Sequence, residues 1–514
     1  MVTRCLVRRD TYRDSVELMR VAAAVEACPG VSRAALLMAT PANRGVLAEA
    51  GLLEGEALAA GPNDVVLAVA AASAGAAERA LAQAASLLDE QAALPAASAV
   101  RPPPGTVALG HAELPDANLA IISTPGPYAT AEALKALKRG LSVFLFSDNV
   151  PVEEEIELKR LATARGLLMM GPDCGTAILD GIPLGFANAV RRGRIGLVGA
   201  SGTGLQQVSC LIDRRGEGVS QLIGVGSRDL DARVGGLMMR AGLERLARDP
   251  GTAVIVLVSK PPAASVASRV LATARGSGKP VVVTFLGGDP AGIRAAGATP
   301  AATLEDAARI AVALARGKGR MPGTAPVPVM PGRPPRFAAG QRWVRGLYSG
   351  GTLGQEAALI LGNGRAPGGI GREPGGTGGH TVIDLGDDEF TVGRPHPMID
   401  FRLRNERIAL AARDPATAVI LLDVVLGHGA HSDPASALVP AIRVAQATAT
   451  RARRGLAVVA SVCGTQADPQ GFARQEQTLA RAGVILAPSN AQAARLAARL
   501  AAAAANRGHT GRAR

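Results

Sequence analysis

The stretch Gly196-Leu-Val-Gly-Ala-Ser-Gly-Thr-Gly-Leu205 predicts a strand, a short turn and the start of a helix. A turn of this kind presents free backbone N–H groups at the positive end of the helix dipole. We therefore predict that Ser201, Gly202, Thr203 and Gly204 bind a phosphate group. The alternative is an ordinary helix cap in a glycine-containing loop. It is not a Walker A loop, since no Gly-Lys-Ser/Thr follows.

The stretch Gly346-Leu-Tyr-Ser-Gly-Gly-Thr-Leu353 has the same arrangement. Here Ser349, Gly350, Gly351 and Thr352 are the predicted phosphate-binding residues. Each of the two turns opens an α/β segment, so the segments are interpreted as related halves. We expect their helix starts to converge on one site.

Outside these turns, short Val/Ile/Leu runs alternate with Ala/Arg/Glu segments of helical period along most of the chain. This alternation is typical of parallel sheets with crossover helices, so we predict an α/β fold of several parallel-sheet units. Breaks in the pattern give the predicted domains: 1–100, 101–190, 191–317, a Pro/Gly linker at 318–341, 342–505 and a basic tail at 506–514. The Gly-rich stretch 362–379 is predicted to be a mobile loop.

Composition narrows the classes of function. The 514 residues suffice for three or four domains, and the net charge is +13. The basic residues are mostly Arg and form no long stripe, so we attribute the charge to a compositional bias and expect no nucleic-acid partner. Aromatic residues make up only 2 %, which leaves little for stacking on single-stranded nucleic acid.

Cysteine usage and hydropathy predict a cytoplasmic protein. The five Cys are odd in number and lie far apart, with no CxxC spacing, which favours a reducing compartment. The chain contains no run of 18 uncharged apolar residues, so we expect no membrane partner. Arg4, Arg8 and Asp10 interrupt the stretch where a signal peptide would be apolar.

The motif Gly171-Pro-Asp-Cys-Gly-Thr176 follows a predicted strand that ends at Met170. It therefore lies at the carboxyl end of a parallel sheet, where ligands bind. A tight turn without a ligand is the alternative. No His stands near Cys174 in the sequence, so we interpret this thiol as a packing residue rather than a nucleophile.

Residues 128–178 with 195–205 resemble the α subunit of succinyl-CoA synthetase, and residues 344–503 resemble the carboxyl-terminal ligase domain of its β subunit. The fused arrangement resembles the FdrA proteins, which share Phe146-Ser-Asp-Asn149, Val258-Ser-Lys-Pro-Pro262 and Gly393-Arg-Pro-His-Pro-Met-Ile-Asp400.

The resemblance implies a truncated Rossmann-like domain of the CoA-binding type at 101–190. It also implies two flavodoxin-like ligase domains, an α-like one at 191–317 and a β-like one at 342–505. CoA becomes a possible cofactor, and Gly171, Pro172, Asp173 and Cys174 become its expected contacts.

This chain departs from the succinyl-CoA synthetase pattern in four ways. No segment supplies an ATP-grasp domain. The phosphohistidine loop is replaced by Gly287–Arg294, which contains no His. Lys260 stands where the family has a Glu beside its phosphohistidine. The Gly-rich CoA-phosphate turn has no clear counterpart in residues 1–118. These losses remove the phosphohistidine relay and leave the two anion-binding helix starts.

A chain of this kind should accept a preformed acyl or carbamoyl phosphate, held by Lys260 and the two helix starts. The resemblance to FdrA proteins implies carbamoyl transfer, as a subunit of an oxamate carbamoyltransferase in ureide breakdown. Two alternatives stay open: an acyl-CoA ligase completed by a separate ATP-grasp subunit, and a non-catalytic subunit that binds CoA or an acyl phosphate. Each implies a small anionic substrate or ligand and separately encoded protein subunits.

Two histidines join Lys260 as candidate catalytic residues. His396 stands between two prolines, and Asp384, at the end of a predicted strand, could orient it. His428 follows another predicted strand and shares the segment Gly427–Asp433 with His431. We interpret these histidines as groups for substrate binding or proton transfer. No metal is expected, because a ligand-free turn fits the segment better than a three-ligand site with Asp433.

Overall fold

The computed structural model describes residues 1–13, 15–92, 104–317, 323, 335–362, 379–391 and 395–510. These residues fall into two compact units. The first takes those within 1–103 together with 388–395, and the second takes the remainder. Most of the predicted linker 318–341, most of the predicted loop 362–379 and the end of the tail 506–514 lie outside the described residues.

The first unit is a three-stranded sheet with helices. Its elements are β1 (Val2–Arg8), α1 (Ser15–Glu26), β2 (Val31–Met38), α2 (Pro41–Glu49), a 3-10 helix (Gly55–Ala59), β3 (Val65–Ala71) and α3 (Ala74–Ala92). The strand order is β1-β3-β2, with β3 antiparallel to both neighbours. The prediction of a parallel sheet in this domain is therefore wrong. β1 and β2, which α1 connects, run parallel to each other. β3 lies between them, as in a split β-α-β unit, and six of its seven residues are buried.

The second unit opens with a parallel sheet of order β4-β5-β6. Its elements are α4 (Val107–Glu113), β4 (Leu119–Ile122), α5 (Gly126–Lys138), β5 (Ser142–Leu145), α6 (Val152–Ala164) and β6 (Met169–Met170).

A seven-stranded sheet follows, of order β13-β12-β11-β9-β10-β7-β8. Its elements are β7 (Thr176–Leu179), β8 (Ile182–Gly185), β9 (Arg192–Ala200), α7 (Gly202–Arg214), β10 (Val219–Gly224), α8 (Leu237–Arg248), β11 (Val254–Ser259), α9 (Ala264–Arg275), β12 (Val281–Phe285), α10 (Pro290–Ala295), β13 (Thr299–Pro300) and α11 (Leu304–Ala315). The hairpin β7–β8, which the sequence assigned to 101–190, instead extends this sheet because β7 pairs antiparallel with β10.

The last sheet is five-stranded and wholly parallel, of order β15-β14-β16-β17-β18. Its elements are β14 (Trp343–Tyr348), α12 (Gly351–Leu361), β15 (Thr381–Asp384), α13 (Asp388–Thr391, grouped with the first unit), α14 (Arg402–Arg413), β16 (Thr417–Val425), α15 (Pro434–Arg451), β17 (Ala457–Cys463), α16 (Phe472–Arg481), β18 (Ile485–Ala487) and α17 (Asn490–Thr510).

The two larger sheets share one topology. Numbered from β9 and from β14, the parallel strands of each follow the order 2-1-3-4-5, which is the flavodoxin-like arrangement. The strand order reverses beside the first strand of each sheet, and ligands of such sheets bind at that point. The prediction of an α/β fold with two flavodoxin-like domains is confirmed.

One apolar core joins the two flavodoxin-like halves. Helices α7 and α11 of the first half contact each other. In addition, α7 contacts α12 of the second half, and α11 contacts α17. Buried side chains of both sheets, such as Leu197 and Leu421, belong to the same cluster. The halves therefore pack as one body, as the sequence predicted. No helix among the described residues is long and apolar enough to cross a membrane.

A buried ion cluster ties the β4–β6 segment to the first flavodoxin-like half. The Nζ of Lys159, on α6, lies 2.8 Å from Glu155 Oε1 and 2.8 Å from Asp229 Oδ1. All three side chains are almost fully buried. Asp229 also accepts the N–H groups of Met238 and Met239 at the start of α8. Lys159 thus compensates the buried Asp229 carboxylate and shares Glu155 with Arg228, whose Nη2 lies 3.0 Å from Glu155 Oε2.

Replacing Lys159 with Ala should destabilise the protein by about 3–5 kcal/mol, because it leaves the buried Asp229 carboxylate without its cation and Glu155 with only the partly exposed Arg228. The free energy of unfolding, measured by urea titration, checks this. The matched control is Lys135→Ala, which breaks the exposed pair with Glu132 and should cost at most about 1 kcal/mol. Equal losses in the two variants would contradict the role given to Lys159.

Candidate functional site

The first predicted turn lies at the carboxyl end of β9. Ser201 is the N-cap of α7, and its Oγ accepts the N–H of Gly204 at 3.1 Å. The first backbone bond of the helix runs from Leu205 N to Ser201 O. The N–H groups of Gly202 and Thr203 precede that bond and have no partner within the helix. The helix-cap alternative therefore holds for Ser201, while the next two N–H groups remain available to a ligand.

The second turn lies at the carboxyl end of β14 and is partly occupied by Asp423. This buried carboxylate of β16 accepts the N–H of Ser349 at 2.9 Å, its Oγ at 3.0 Å and the N–H of Gly350 at 2.8 Å. Arg404, fully buried on α14, donates to Asp423 Oδ1. Ser349 is thus committed to an internal anion, and the N–H groups of Gly351 and Thr352 are left for a ligand.

The two helix starts meet, as the sequence predicted. Ser201 Oγ donates to Thr352 Oγ1 at 2.7 Å in a buried hydrogen bond. A Cβ on Gly350 would lie 2.8 Å from the Thr203 side chain, and one on Gly204 would lie 3.0 Å from Thr352 Cγ2. Only glycine allows this approach of the two turns.

Lys260 and Asp384 flank the start of α12. Lys260 follows the last residue of β11 and is exposed, and its Nζ would lie 3.3 Å from a Cβ on Gly351. Asp384 ends β15, and its Oδ2 occupies the space such a Cβ would fill. Its Oδ1 accepts the N–H of Gly386 at 3.0 Å. Burial raises the pKa of Asp384 to about 6, and the nearby Lys260 opposes that rise.

His396 lies on the other side of Asp384. Its Nε2 would lie 2.8 Å from a Cβ on Gly386, and its Nδ1 accepts the N–H of Met398 at 3.2 Å. Burial lowers the pKa of His396 to about 4, against the opposing charge of Asp423. The imidazole is therefore neutral at pH 7, and its proton is on Nε2, since Nδ1 accepts a hydrogen bond. Asp384 lies beside His396, yet the bonds described for the two residues do not join them.

The second candidate histidine lies in a different setting. His428 is exposed, and its backbone N–H donates to Ala187 O. Burial raises the pKa of Asp468, and the nearby His428 is one of the groups that oppose this rise. His431 Nδ1 accepts the N–H of Asp433, which in turn caps α15. The described contacts of His428 are thus not with the helix starts, and its catalytic role stays a prediction.

The turn Gly171–Cys174 is tightly packed. Gly171, Pro172 and Cys174 are buried, and only Asp173 is exposed. Burial raises the pKa of Cys174 to about 12, so this thiol is no nucleophile. A cofactor contact at this turn would rest on backbone groups and the Asp173 carboxylate, and it stays a prediction.

Asp423 and Arg404 are site residues that the sequence analysis did not find. The signal for Asp423 was present, because it stands inside the otherwise apolar run of β16, whose nine residues are all buried. A charge in such a run is expensive unless it is paired. Nothing in the helical pattern around Arg404 distinguishes it from the other arginines of α14.

The fold and the site match known family models. One described as CoA-ligase matches residues 347–500, and one described as succinyl-CoA ligase like flavodoxin domain matches residues 192–321. The protein therefore carries domains of the acyl-CoA ligase type. A protein of Escherichia coli strain K12 with the name "Uncharacterized protein YahF" is 42 % identical over 508 residues, covering 97 % of this chain and 98 % of that protein. The chain belongs to the family of this YahF protein.

Shorter matches link the chain to ligase subunits. The α subunit of an ADP-forming succinate–CoA ligase from Methanothermobacter thermautotrophicus is 30 % identical over 148 residues, which is 28 % of this chain and 49 % of that protein. The SauD subunit of an ADP-forming sulfoacetate-CoA ligase from Bilophila wadsworthia is 27 % identical over 151 residues, which is 28 % of this chain and 50 % of that protein. The chain thus spans about half the length of these subunits.

A third family model, described as "AllF, heavy metal-associated domain", matches residues 1–102. The described thiols of this domain are otherwise engaged: Cys5 Sγ donates to Leu52 O and Cys28 Sγ to Gln83 Oε1, each at 3.1 Å. In the part of the chain that the structure describes, no group of three His, Cys, Asp or Glu side chains is placed to hold a metal ion. The described side chains do not fit the metal that this description implies.

Replacing Gly350 with Ala should push the two helix starts apart, because the new Cβ would collide with Thr203. We expect a loss of about 1–3 kcal/mol in unfolding free energy and weaker anion binding, measured by chemical denaturation and by sulfate titration. Gly354→Ala is the matched control, since its Cβ would meet Tyr348 at an ordinary 3.4 Å. If Gly350→Ala bound sulfate as tightly as Gly354→Ala, the close approach would not matter for the site.

Proposed function

We propose that this chain is the acyl-transfer subunit of an acyl-CoA ligase-type enzyme, and that it holds an acyl phosphate between the starts of α7 and α12. The observation that carries the proposal is the buried bond between Ser201 and Thr352, which fixes two helix N-termini on one point. Each terminus contributes backbone N–H groups and the positive end of a helix dipole. Lys260 supplies the cation beside them.

In this proposal each residue of the site has a separate role in group transfer. The N–H groups of Gly202, Thr203, Gly351 and Thr352 bind the phosphate oxygens, and Lys260 offsets their charge. His396, neutral with its proton on Nε2, donates a hydrogen bond to the substrate. The acceptor attacks the carbonyl carbon of the acyl phosphate, the bond from that carbon to the bridging oxygen breaks, and the phosphate leaves with the acceptor's proton. In an acyl-CoA ligase the thiol of CoA is the acceptor.

The nucleotide chemistry is proposed to belong to a separate subunit. The described sheets of the second unit account for a small parallel sheet and two flavodoxin-like halves, and none of them supplies an ATP-grasp domain. The succinate and sulfoacetate ligase relatives are themselves subunits, which supports a multi-subunit enzyme. CoA binding by the Gly171–Cys174 turn is part of this proposal.

A second candidate function is carbamoyl transfer, the activity implied by the resemblance to FdrA proteins. One feature favours it: the loop Gly287–Arg294 has no His, and His396 keeps its Nδ1 in a hydrogen bond and its Nε2 protonated. A phosphohistidine carrier is therefore missing from the expected place. Carbamoyl phosphate is an acyl phosphate with an amino group, so the same anion site would hold it. The two candidates differ in whether product formation requires CoA.

Replacing Lys260 with Ala should weaken binding of acetyl phosphate and carbamoyl phosphate about 10- to 100-fold while leaving the fold intact. A charge-assisted contact contributes about 1.5–3 kcal/mol, and the side chain is exposed, so its removal opens no cavity in the core. Calorimetric titration measures the affinity. Lys138→Ala, which removes another exposed ammonium, is the control and should bind like the parent. An unchanged affinity in Lys260→Ala would remove Lys260 from the site.

The chain should not become phosphorylated on histidine. With the proton on Nε2 and Nδ1 engaged, His396 offers no free lone pair to a phosphoryl group. The test is incubation of the protein with labelled ATP, acetyl phosphate or carbamoyl phosphate, followed by a search for acid-labile label. Label that maps to His396 or His428 would show a covalent carrier and favour a complete ligase relay over carbamoyl transfer.

A further inference from the structure

Asp384 lies beside the position proposed for a bound anion. Its Oδ2 lies where a Cβ on Gly351 would be, beside the first residue of α12. Its Oδ1 is held by Gly386 N at 3.0 Å, so the carboxyl group is fixed there. The side chain is only 6 % exposed. An anion bound at this helix start therefore meets a buried carboxyl group at contact distance.

The charges around Asp384 do not compensate a second anion fully. Lys260 approaches from the end of β11, and Asp387 from the same turn. Asp423 faces it from β16, but its charge is matched by Arg404. His396 is neutral. One exposed lysine would thus face both the Asp384 carboxylate and a tetrahedral dianion in a site with little water, where such repulsion is strong.

We infer that anion binding at this site is coupled to proton uptake by Asp384, so that the anion and a neutral carboxyl group occupy the start of α12 together. The inference rests on the proposed function, because it concerns the same phosphate site. Asp384 then acts as a positioning residue that accepts the ligand only in its protonated form, and its O–H can donate to a ligand oxygen.

The sign of the pH effect follows from the protonated form being the binding form. Burial raises the pKa of Asp384 to about 6 in the unliganded protein. Below that pH the carboxyl group is neutral and the anion binds; above it, each binding event must first take up a proton. Apparent affinity therefore falls as pH rises, by about 25-fold between about pH 5.5 and about pH 7.5 if only the protonated form binds.

The experiment is calorimetric titration of the full chain with sulfate, a tetrahedral anion that stays fully ionised over this range, unlike phosphate. We expect binding about 25-fold weaker at about pH 7.5 than at about pH 5.5. In buffers of different ionisation enthalpy we expect uptake of about one proton per sulfate at about pH 7.5. Asp384→Asn should bind with the same affinity at both pH values and, at the higher pH, more tightly than the parent. Asp387→Asn, an exposed neighbour, should keep the pH dependence.

The outcomes separate the inference from the proposed function. If the parent binds sulfate with equal affinity at both pH values and takes up no proton, the inference is wrong while the anion site stands. The inference is also wrong if Asp384→Asn keeps the pH dependence. If neither the parent nor Asp384→Asn binds sulfate at any pH, the anion site itself is wrong, and the inference is overturned with it. The proton-uptake measurement uses the parent protein and does not depend on the folding of any variant.

Discussion

Two positive helix ends are held against each other by the bond between Ser201 and Thr352. Each α-helix carries about half a positive charge at its N-terminus, so the contact is unfavourable unless negative charge lies nearby. Asp423 supplies it through three hydrogen bonds to the second turn, and Asp384 supplies it beside Gly351. The strand order places the reversal point of each sheet beside that of the other, and the glycines of the turns leave room for the contact.

The packing around that contact is held by buried polar bridges between the two halves. Glu356, on α12, accepts Leu304 N and Asn490 Nδ2, and burial raises its pKa to about 7. Asn188 donates to Asp468 across the same interface at 2.9 Å. Each bridge compensates a polar group in an apolar cluster, where an unpaired group would be costly. The helix starts are therefore held in register by groups that lie outside the two turns.

The sequence predicted the two turns, their convergence and most strands, because apolar runs and Gly/Ser/Thr turns depend on neighbours along the chain. The sequence predicts strands at Val281–Phe285 and Thr381–Asp384, for example, and these are the bounds of β12 and β15. The sequence did not predict which strand partners β7, the antiparallel β3, or the pairing of Asp423 with Arg404. These features depend on residues that meet only in three dimensions. The pKa of Asp384 likewise follows from its burial, which no local pattern encodes.

Both helix starts belong to one polypeptide, so bringing them together requires no association between chains. If the halves were separate chains, their association would depend on concentration, and dilution would separate the two helix starts. A covalent connection makes it an intramolecular event with a high effective concentration. The proposed anion site can therefore form within a single molecule at any dilution. The affinity for the partner subunits proposed above can then change through substitutions elsewhere on the chain, without altering the two helix starts.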